Sequence, residues 1–539
     1  MAHAPSARGP NELQFTPTGT RAPGPAVLLA IDDLSLPLRK NVCLYLSKPK
    51  VRPEPVLAPS PLESNAPDNL ATHFYGTVLH DQGKFRMWYY ACHFGKNPDW
   101  PPRMMQQIAT SPGYCKYETK IYSGPLCYAE SEDGIHWMRP ALGQVRFKGN
   151  SANNALALPH AVTFGATVIR DDDDSDPGRR YKMIYEFDPN QSDPKIDELG
   201  AQATAALMVS PDGLHWTLVG IPFLNEFVEH SSFVKHAGAY ILHHHAIDVP
   251  TRRSEGGAPC GRSGIAHVTY DFDRWPDLWT ETFVLPEPRD PRERGMSKPY
   301  DQVHLGVGAA SFGNVCVGLY GLWHNAHFTE AFSNISCDLG LLISSDGLHF
   351  REPVKGHVFI HRDDSPATPV PGRNYHTILC QANGLLNVGD TTYIYHGRWR
   401  NAGHTAEDEH LYRGEVALAT LPRDRWGALG LNPPVPGFSP GEGVVCSGPL
   451  ALPAGGGEVA INADGAEGIS VELLDEHLRP VPGFSGAQAA TLAGTGGLDC
   501  PVRWPGASLA KLGVQTVRVQ LRLRRRGNTD PRLYAVYLR

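Results

Sequence analysis

Ser131-Glu132-Asp133-Gly134-Ile135-His136-Trp137 returns as Ser210-Pro211-Asp212-Gly213-Leu214-His215-Trp216 and again as Ser344-Ser345-Asp346-Gly347-Leu348-His349-Phe350. Two looser copies, TYDFDRW at 269–275 and ATLPRDRW at 419–426, fill the gaps, so an aromatic residue closes the motif at 137, 216, 275, 350 and 426. Each copy follows an apolar, strand-like run: GPLCYAES, TAALMVS, IAHVTY, LGLLISS and EVALAT. Asp-Gly supplies the positive φ angles of a tight hairpin, and the aromatic opens the next strand. The motif is therefore a turn, and its work is structural.

Upstream of every copy lies another pair of strand-like runs split by a turn: FYGTVLH/KFRMWYYA, AVTFGATVIR/RYKMIYEF, SSFVK/AYILHHH, VGAAS/VCVGLYGLW and TILCQANGLLN/TTYIYHGRW. Each repeat thus holds four strands, with amphipathic helical periodicity nearly absent. One such sheet cannot cover both its faces alone, so the pattern predicts an all-β chain with a five-bladed β-propeller, its long loops on one face. From about 433 the texture changes. NPPVPGFSPGEG reads as a linker, and Val517, Val519, Leu521 and Leu523 alternate with Arg518, Gln520, Arg522 and Arg524 as in a half-buried strand. The expected division is an N-terminal extension over 1–70 with one strand candidate (PAVLLAIDDLSL), the propeller over 71–432, and a C-terminal β-sandwich over 433–539. The basic strand could meet an anionic partner or simply be a solvated face.

Composition narrows the function classes. The 539 residues include 55 Gly and 47 Pro, a turn-rich chain still below the roughly 25–30% of disordered low-complexity sequences, and 41% are hydrophobic. No apolar run approaches the roughly 20 residues of a membrane span. A formal net charge of −7 gives no general footprint for nucleic acid or an anionic membrane, and a neutral ligand fits better. The N-terminus has no apolar core of a secretory signal, so cytoplasmic residence is expected. The ten cysteines have no C-x-x-C spacing and read as free, buried thiols.

Five four-stranded repeats with S-x-D-G-x-x-W turns, followed by a β-sandwich, resemble the five-bladed propeller glycoside hydrolases of the invertase, levansucrase and arabinanase type. That resemblance implies a pocket at the propeller axis with carboxylates near the starts of the innermost strands. Glu229, before the inner strand SSFVK, matches the place of the general acid, and its apolar surroundings suggest a raised pKa. Its expected partner is Asp68 or Asp301. Asn153, Asn154 and His160 stand where the second repeat's Asp is expected, and the Asp171 to Asp174 run reads as a solvated turn at the far end.

Blade geometry puts the heads of first strands and the tails of second strands on one face. That face should carry Glu63, His160, His230, His304, Trp323, His324, His376 and Arg398 as substrate-binding groups, with Glu226, Arg373, Arg400, His93, His243, His244, His245 and His396 on the same face. Trp323 or Tyr75 would stack on a sugar. No cofactor is required for such chemistry, yet His73, His160, His230, His304 and His376, one per repeat, could hold a single metal ion at the axis. Two other classes therefore stay open: a metal-dependent propeller enzyme and a non-catalytic carbohydrate-binding propeller. A small carbohydrate or glycoside is the expected partner, and a sandwich strand or the N-terminal arm could mediate self-association.

Overall fold

A computed structural model describes residues 25–100, 120–160, 162–187, 204–223, 228–247, 261–324, 332–452, 455–513 and 515–539. The chain is all-β. Regular structure among these residues consists of strands and short 3-10 turns, and no helix is long and apolar enough to cross a membrane.

The repeat turns are built alike. Asp133 Oδ1 accepts the backbone N–H groups of Ile135 and His136, both at 2.8 Å, while His136 Nδ1 pairs with Asp133 Oδ2 at 2.7 Å. Asp212 with His215, and Asp346 with His349, repeat that arrangement. The glycines at 134, 213 and 347 have φ of 75°, 77° and 73°, in the left-handed region that favours a residue without a Cβ.

These turns close antiparallel groups of strands. The first group is Ala71–Asp81, Lys84–Phe94 and Ile121–Ser131. The second is Thr163–Arg170, Tyr181–Phe187, Thr204–Ser210 and Thr217–Gly220. The third is His230–His236, Ala239–Ile247, Arg262–Thr269 and Trp279–Phe283. The fourth is Gln302–Ser311, Cys316–His324, Ser336–Ser344 and Val358–Ile360. The last has a broken first strand, Thr377–Cys380 and Leu385–Val388, then Thr391–Arg400 and Arg413–Pro422, and its outer strand comes from the N-terminal side as Lys50–Val51.

Each intact turn docks on the second strand of the group before it. Gly134 O accepts from Tyr395 OH at 2.7 Å, Gly213 O from Trp88 Nε1 at 2.9 Å, and Gly347 O from His243 Nε2 at 2.8 Å. Where the motif is loose, the facing residue is aliphatic: Ile184 shares an apolar cluster with Phe272 and Trp275, and Leu319 shares one with Trp426. A neighbour without a donor does not need the glycine carbonyl.

First strands meet around one centre. Val168 N donates to Thr77 Oγ1, Ala309 N to Ser232 Oγ, Gln381 Nε2 to Gly306 O, and Asn383 N to Gly76 O. Four of these strands carry a register shift near the head, between His73 and Thr77, Thr163 and Gly165, His230 and Ser232, and His304 and Val307. Bulges at such places re-aim side chains.

Two six-stranded sheets complete the chain. One holds Leu38–Lys40, Glu442–Cys446, Leu450–Ala451, Ile469–Asp475, Ala490–Thr491 and Thr516–Arg524. The other holds Ala26–Leu29, Val42–Leu46, Gly427–Leu431, Val459–Asp464, Gly496–Pro501 and Arg532–Leu538. Leu28, Leu431, Val445, Ile461, Val471, Val519, Leu521 and Val536 join their faces in one core. The N-terminal residues therefore supply several short strands rather than one. Ala26–Leu29 pairs with Arg532–Leu538. Arg522 and Arg524 of the basic strand are paired to Glu442 and Glu472 within their sheet.

Within the Asp171 to Asp174 run, Asp172 and Asp173 are exposed as a solvated turn would have them, but Asp171 and Asp174 are not. Asp171 is buried against Lys182 at 2.8 Å and Lys235 at 2.5 Å, and Lys182 also meets Asp174 at 2.8 Å. All eight described cysteines are free, six of them buried.

Candidate functional site

Opposite the Asp-Gly turns, the heads of the first strands and the tails of the second strands gather a carboxylate, several imidazoles and a wall of aromatic rings. Glu229 precedes His230–His236, and its Oε2 lies 2.7 Å from His245 Nε2. The Leu305 N–H donates to His245 Nδ1 at 3.2 Å. A nitrogen that accepts there carries no proton, so the ring's hydrogen sits on Nε2, the nitrogen nearer Glu229. The bulge in the fourth group makes that contact possible: Leu305 and Gly306 have φ of 57° and 74°, and a Cβ on Gly306 would stand 2.3 Å from His244 O.

Burial alone would raise the Glu229 pKa. Pairing with His245, then the proximity of His304 and Arg262, outweighs it and holds the carboxyl below the ordinary glutamate range. The expectation of a raised Glu229 pKa is thereby reversed, because strands of the third and fourth groups bring His245, Arg262 and His304 to it, which its own neighbours in sequence do not supply. Its side chain keeps 26% exposure, whereas that of His245 keeps 1%.

The walls are aromatic. Arg262 lies over the Trp323 ring at 4.6 Å, and the His304 ring is 4.5 Å from Trp323. Tyr75 meets Trp399 edge-on at 5.4 Å and stacks with Tyr90 at 5.9 Å, while Tyr90 stacks on His73 at 4.7 Å. Tyr412 OH bonds His73 Nε2 at 2.6 Å. Burial lowers His73 to about 3 and His230 to about 4, so these imidazoles are neutral at pH 7, and burial also pushes His304 down against the pull of Glu229. Tyr75 Oη, His304 Nδ1 and Trp399 Nε1 have no hydrogen-bond partner among the described residues. A hydroxyl-rich ligand would supply partners for such groups.

Other expected residues are placed elsewhere. Asp68 is fully buried on the opposite face of the first group's second strand from Tyr90, bonded by Tyr89 OH and Arg139 Nε at 2.7 Å and by Ser60 Oγ at 2.6 Å. It holds that group together and is not the partner of Glu229. Asp301 is exposed and paired to His324 Nδ1 at 2.9 Å, and His324 Nε2 meets Asp338 at 2.7 Å. Arg398, buried, bonds Glu415 and Pro53 O. Arg400 bonds the Thr368 and Leu411 carbonyls, and His396 bonds Ser365. Glu63, Arg373 and His376 are exposed.

His160 stacks on Phe187 at 3.6 Å with Nδ1 2.5 Å from Tyr185 Oη, and His93 Nδ1 bonds Gly95 O. His243 serves the Gly347 turn, and His244 stacks on His267. Glu226 lies outside the described residues. The metal alternative, with His73, His160, His230, His304 and His376 as ligands, meets the same difficulty: among the described residues no three His, Cys, Asp or Glu side chains are grouped to hold a metal ion.

Of the sequence-derived residues, the structure brings together Glu229, His230, His304, Trp323, His73, Tyr75 and His245. Arg262, Tyr90, Trp399 and Tyr412 belong with them and carry no motif. Their shared signal is position, near a strand end on the face away from the Asp-Gly turns.

No family model and no curated protein matches the chain. Among solved structures it is similar to a glycosyl hydrolase from Bacteroides ovatus, with 14% identity, 71% of this chain and 95% of that one covered, and a TM-score of 0.38. It is also similar to a β-1,2-mannobiose phosphorylase from Listeria innocua, with 13% identity over 70% and 97% of the two chains and a TM-score of 0.41. A third is a glycoside hydrolase family 43 arabinoxylan arabinofuranohydrolase from Bacillus subtilis, with 9% identity over 90% and 99% and a TM-score of 0.34.

Proposed function

We propose that the antiparallel groups are the blades of a five-bladed propeller spanning about 50–422, closed by the N-terminal strand, and that 26–46 with 427–539 form a β-sandwich against it. The propeller is a glycoside hydrolase that binds a small saccharide or glycoside at its axis. One observation carries this reading: an ionised, partly exposed Glu229, oriented by His245, stands among Tyr75, Tyr90, Trp323 and Trp399.

Aromatic faces suit the C–H faces of a sugar ring, and neutral imidazoles and the Tyr75 hydroxyl suit its hydroxyls. Glu229 is then the group that attacks the anomeric carbon or takes the proton from an attacking water. Arg262 and the His245 donor keep it charged, and His245 is held by the Leu305 N–H, so the carboxylate is oriented before substrate arrives.

The test is a panel of aryl glycosides assayed with the full-length protein. At least one should be cleaved, and Glu229→Gln should reduce kcat/KM on it by about 1,000-fold or more with thermal unfolding unchanged. A wild-type rate from Glu229→Gln would overturn the reading.

A further inference from the structure

Glycosidic cleavage needs a second carboxyl group, and the structure points to one in a strand that no motif marks. Ion pairs and exposure have removed Asp68 and Asp301 from consideration. Glu186, in Tyr181–Phe187, is 2% exposed. Three observations bring it toward the head of the third group, where Glu229 stands.

Strand register is the first. Trp88 lies opposite Thr77, Ile184 opposite Thr167 and His243 opposite Ser232, so these are equivalent positions of the first three groups. Two residues further on, the same face of each second strand carries Tyr90, Glu186 and His245. Tyr90 stacks on His73, and His245 holds Glu229. Glu186 is the corresponding residue of the group between them.

Second, that face of the strand is turned toward the third group. Lys182, four residues back, meets Lys235's partner Asp171 and lies 5.7 Å from the Tyr240 ring, and Ile184 shares an apolar cluster with Phe233 and Leu242. Third, Glu186 sits directly opposite Gly165, where a Cβ would stand 3.3 Å from Tyr75 Cβ and 3.7 Å from His230 Cε1. Directly opposed Cβ positions in an antiparallel pair are about 5 Å apart. The Glu186 side chain therefore starts beside Tyr75 and His230, the residue that follows Glu229.

We infer that Glu186 is the second catalytic carboxyl group of the site, the one that protonates the leaving oxygen. This rests on the glycosidase reading above. As the bond between the anomeric carbon and the leaving oxygen breaks, its electron pair stays on that oxygen, which takes the Glu186 proton. The anomeric carbon takes an oxygen electron pair, either from Glu229 or from a water whose proton Glu229 accepts. Water supplies the atoms of hydrolysis, and solvent returns the proton to Glu186. Glu229, with His245 2.7 Å away, takes the charged role, and Glu186 the proton-donating one.

The test compares leaving groups. Dinitrophenolate departs without protonation, whereas methanol does not, so wild type and Glu186→Gln are assayed on dinitrophenyl and methyl glycosides of the sugar that wild type cleaves. The variant should lose about 100- to 1,000-fold on the methyl glycoside and less than about tenfold on the dinitrophenyl one. Glu229→Gln, in contrast, should lose on both. An equal loss on both substrates by Glu186→Gln, or none, overturns the role of Glu186 while leaving the glycosidase reading in place. A wild-type protein that cleaves no glycoside overturns the glycosidase reading itself. Thermal unfolding checks folding of the variant, and if Glu186→Gln does not fold, Glu186→Asp carries the same comparison with the same expected pattern.

Discussion

The two ends of the strand groups treat buried carboxylates in opposite ways. At the Asp-Gly end, Asp171 is shared by Lys182, Lys235 and Tyr240, and Asp81 by Arg86, Arg170 and Tyr181. At the other end Glu229 has the His245 imidazole 2.7 Å away and keeps 26% of its side chain exposed. A carboxylate saturated by fixed cations has no lone pair left for a ligand, so it joins neighbouring groups. One that is charged and still partly exposed can do chemistry.

The comparison can be broken first at Asp171. Breaking a buried pair costs about 3–5 kcal/mol, and because Asp174 remains on Lys182, Asp171→Asn should destabilise the protein by about 3 kcal/mol in denaturant unfolding. Its kcat on a cleaved glycoside, measured on folded protein, should stay within about twofold. A large loss of kcat without a loss of stability would mean that the saturated end also governs the chemistry.

A smaller effect tests a saturated group at the site end. Burial would lower the His324 pKa, but its bonds to Asp301 and Asp338 outweigh burial and raise it to about 9. A raised histidine contributes stability that is fully present below its ordinary value near 6.5 and is lost as pH rises through about 9. Wild type should therefore lose more stability than His324→Gln between pH 6.5 and 9.5. Parallel Tm profiles for the two proteins would show that the imidazolium is not held by both carboxylates.

The smallest expected effect concerns the turns. Tyr395→Phe removes the donor to Gly134 O, which keeps its bond from Trp137 Nε1, so the cost should be about 1 kcal/mol in chemical denaturation. Ile184 and Leu319 show that a neighbour can lack a donor when the turn lacks its glycine. A Tyr395→Phe cost near zero would make the pairing of donors with intact turns incidental.

Much of the strand pattern is legible from residues adjacent in the chain. The Asp–His pairs at 133/136, 212/215 and 346/349 form within four residues, and the alternation from Val517 to Arg524 places the valines and leucines inward. Arg518 departs from it, being buried at 5% through bonds to the Ser447 and Glu476 carbonyls. The site was less legible. Glu229 and His304 stand at strand heads where an axial pocket would draw them, but Asp68 reads equally well there until Arg139, 71 residues on, is seen against it. Glu186 was hidden inside YKMIYEF, a run that reads as a fully buried strand, and a charged residue in such a run was its one signal.

The amino-acid sequence by itself determined where the chain turns and which residues alternate, because an Asp-Gly hairpin and a two-residue period depend only on neighbours along the backbone. Only the tertiary structure decided which carboxylates are saturated and which face a ligand. A charge is set by groups within a few ångströms, and here those groups come from different strands whose register, not their order, brings Leu305 to His245 and His245 to Glu229.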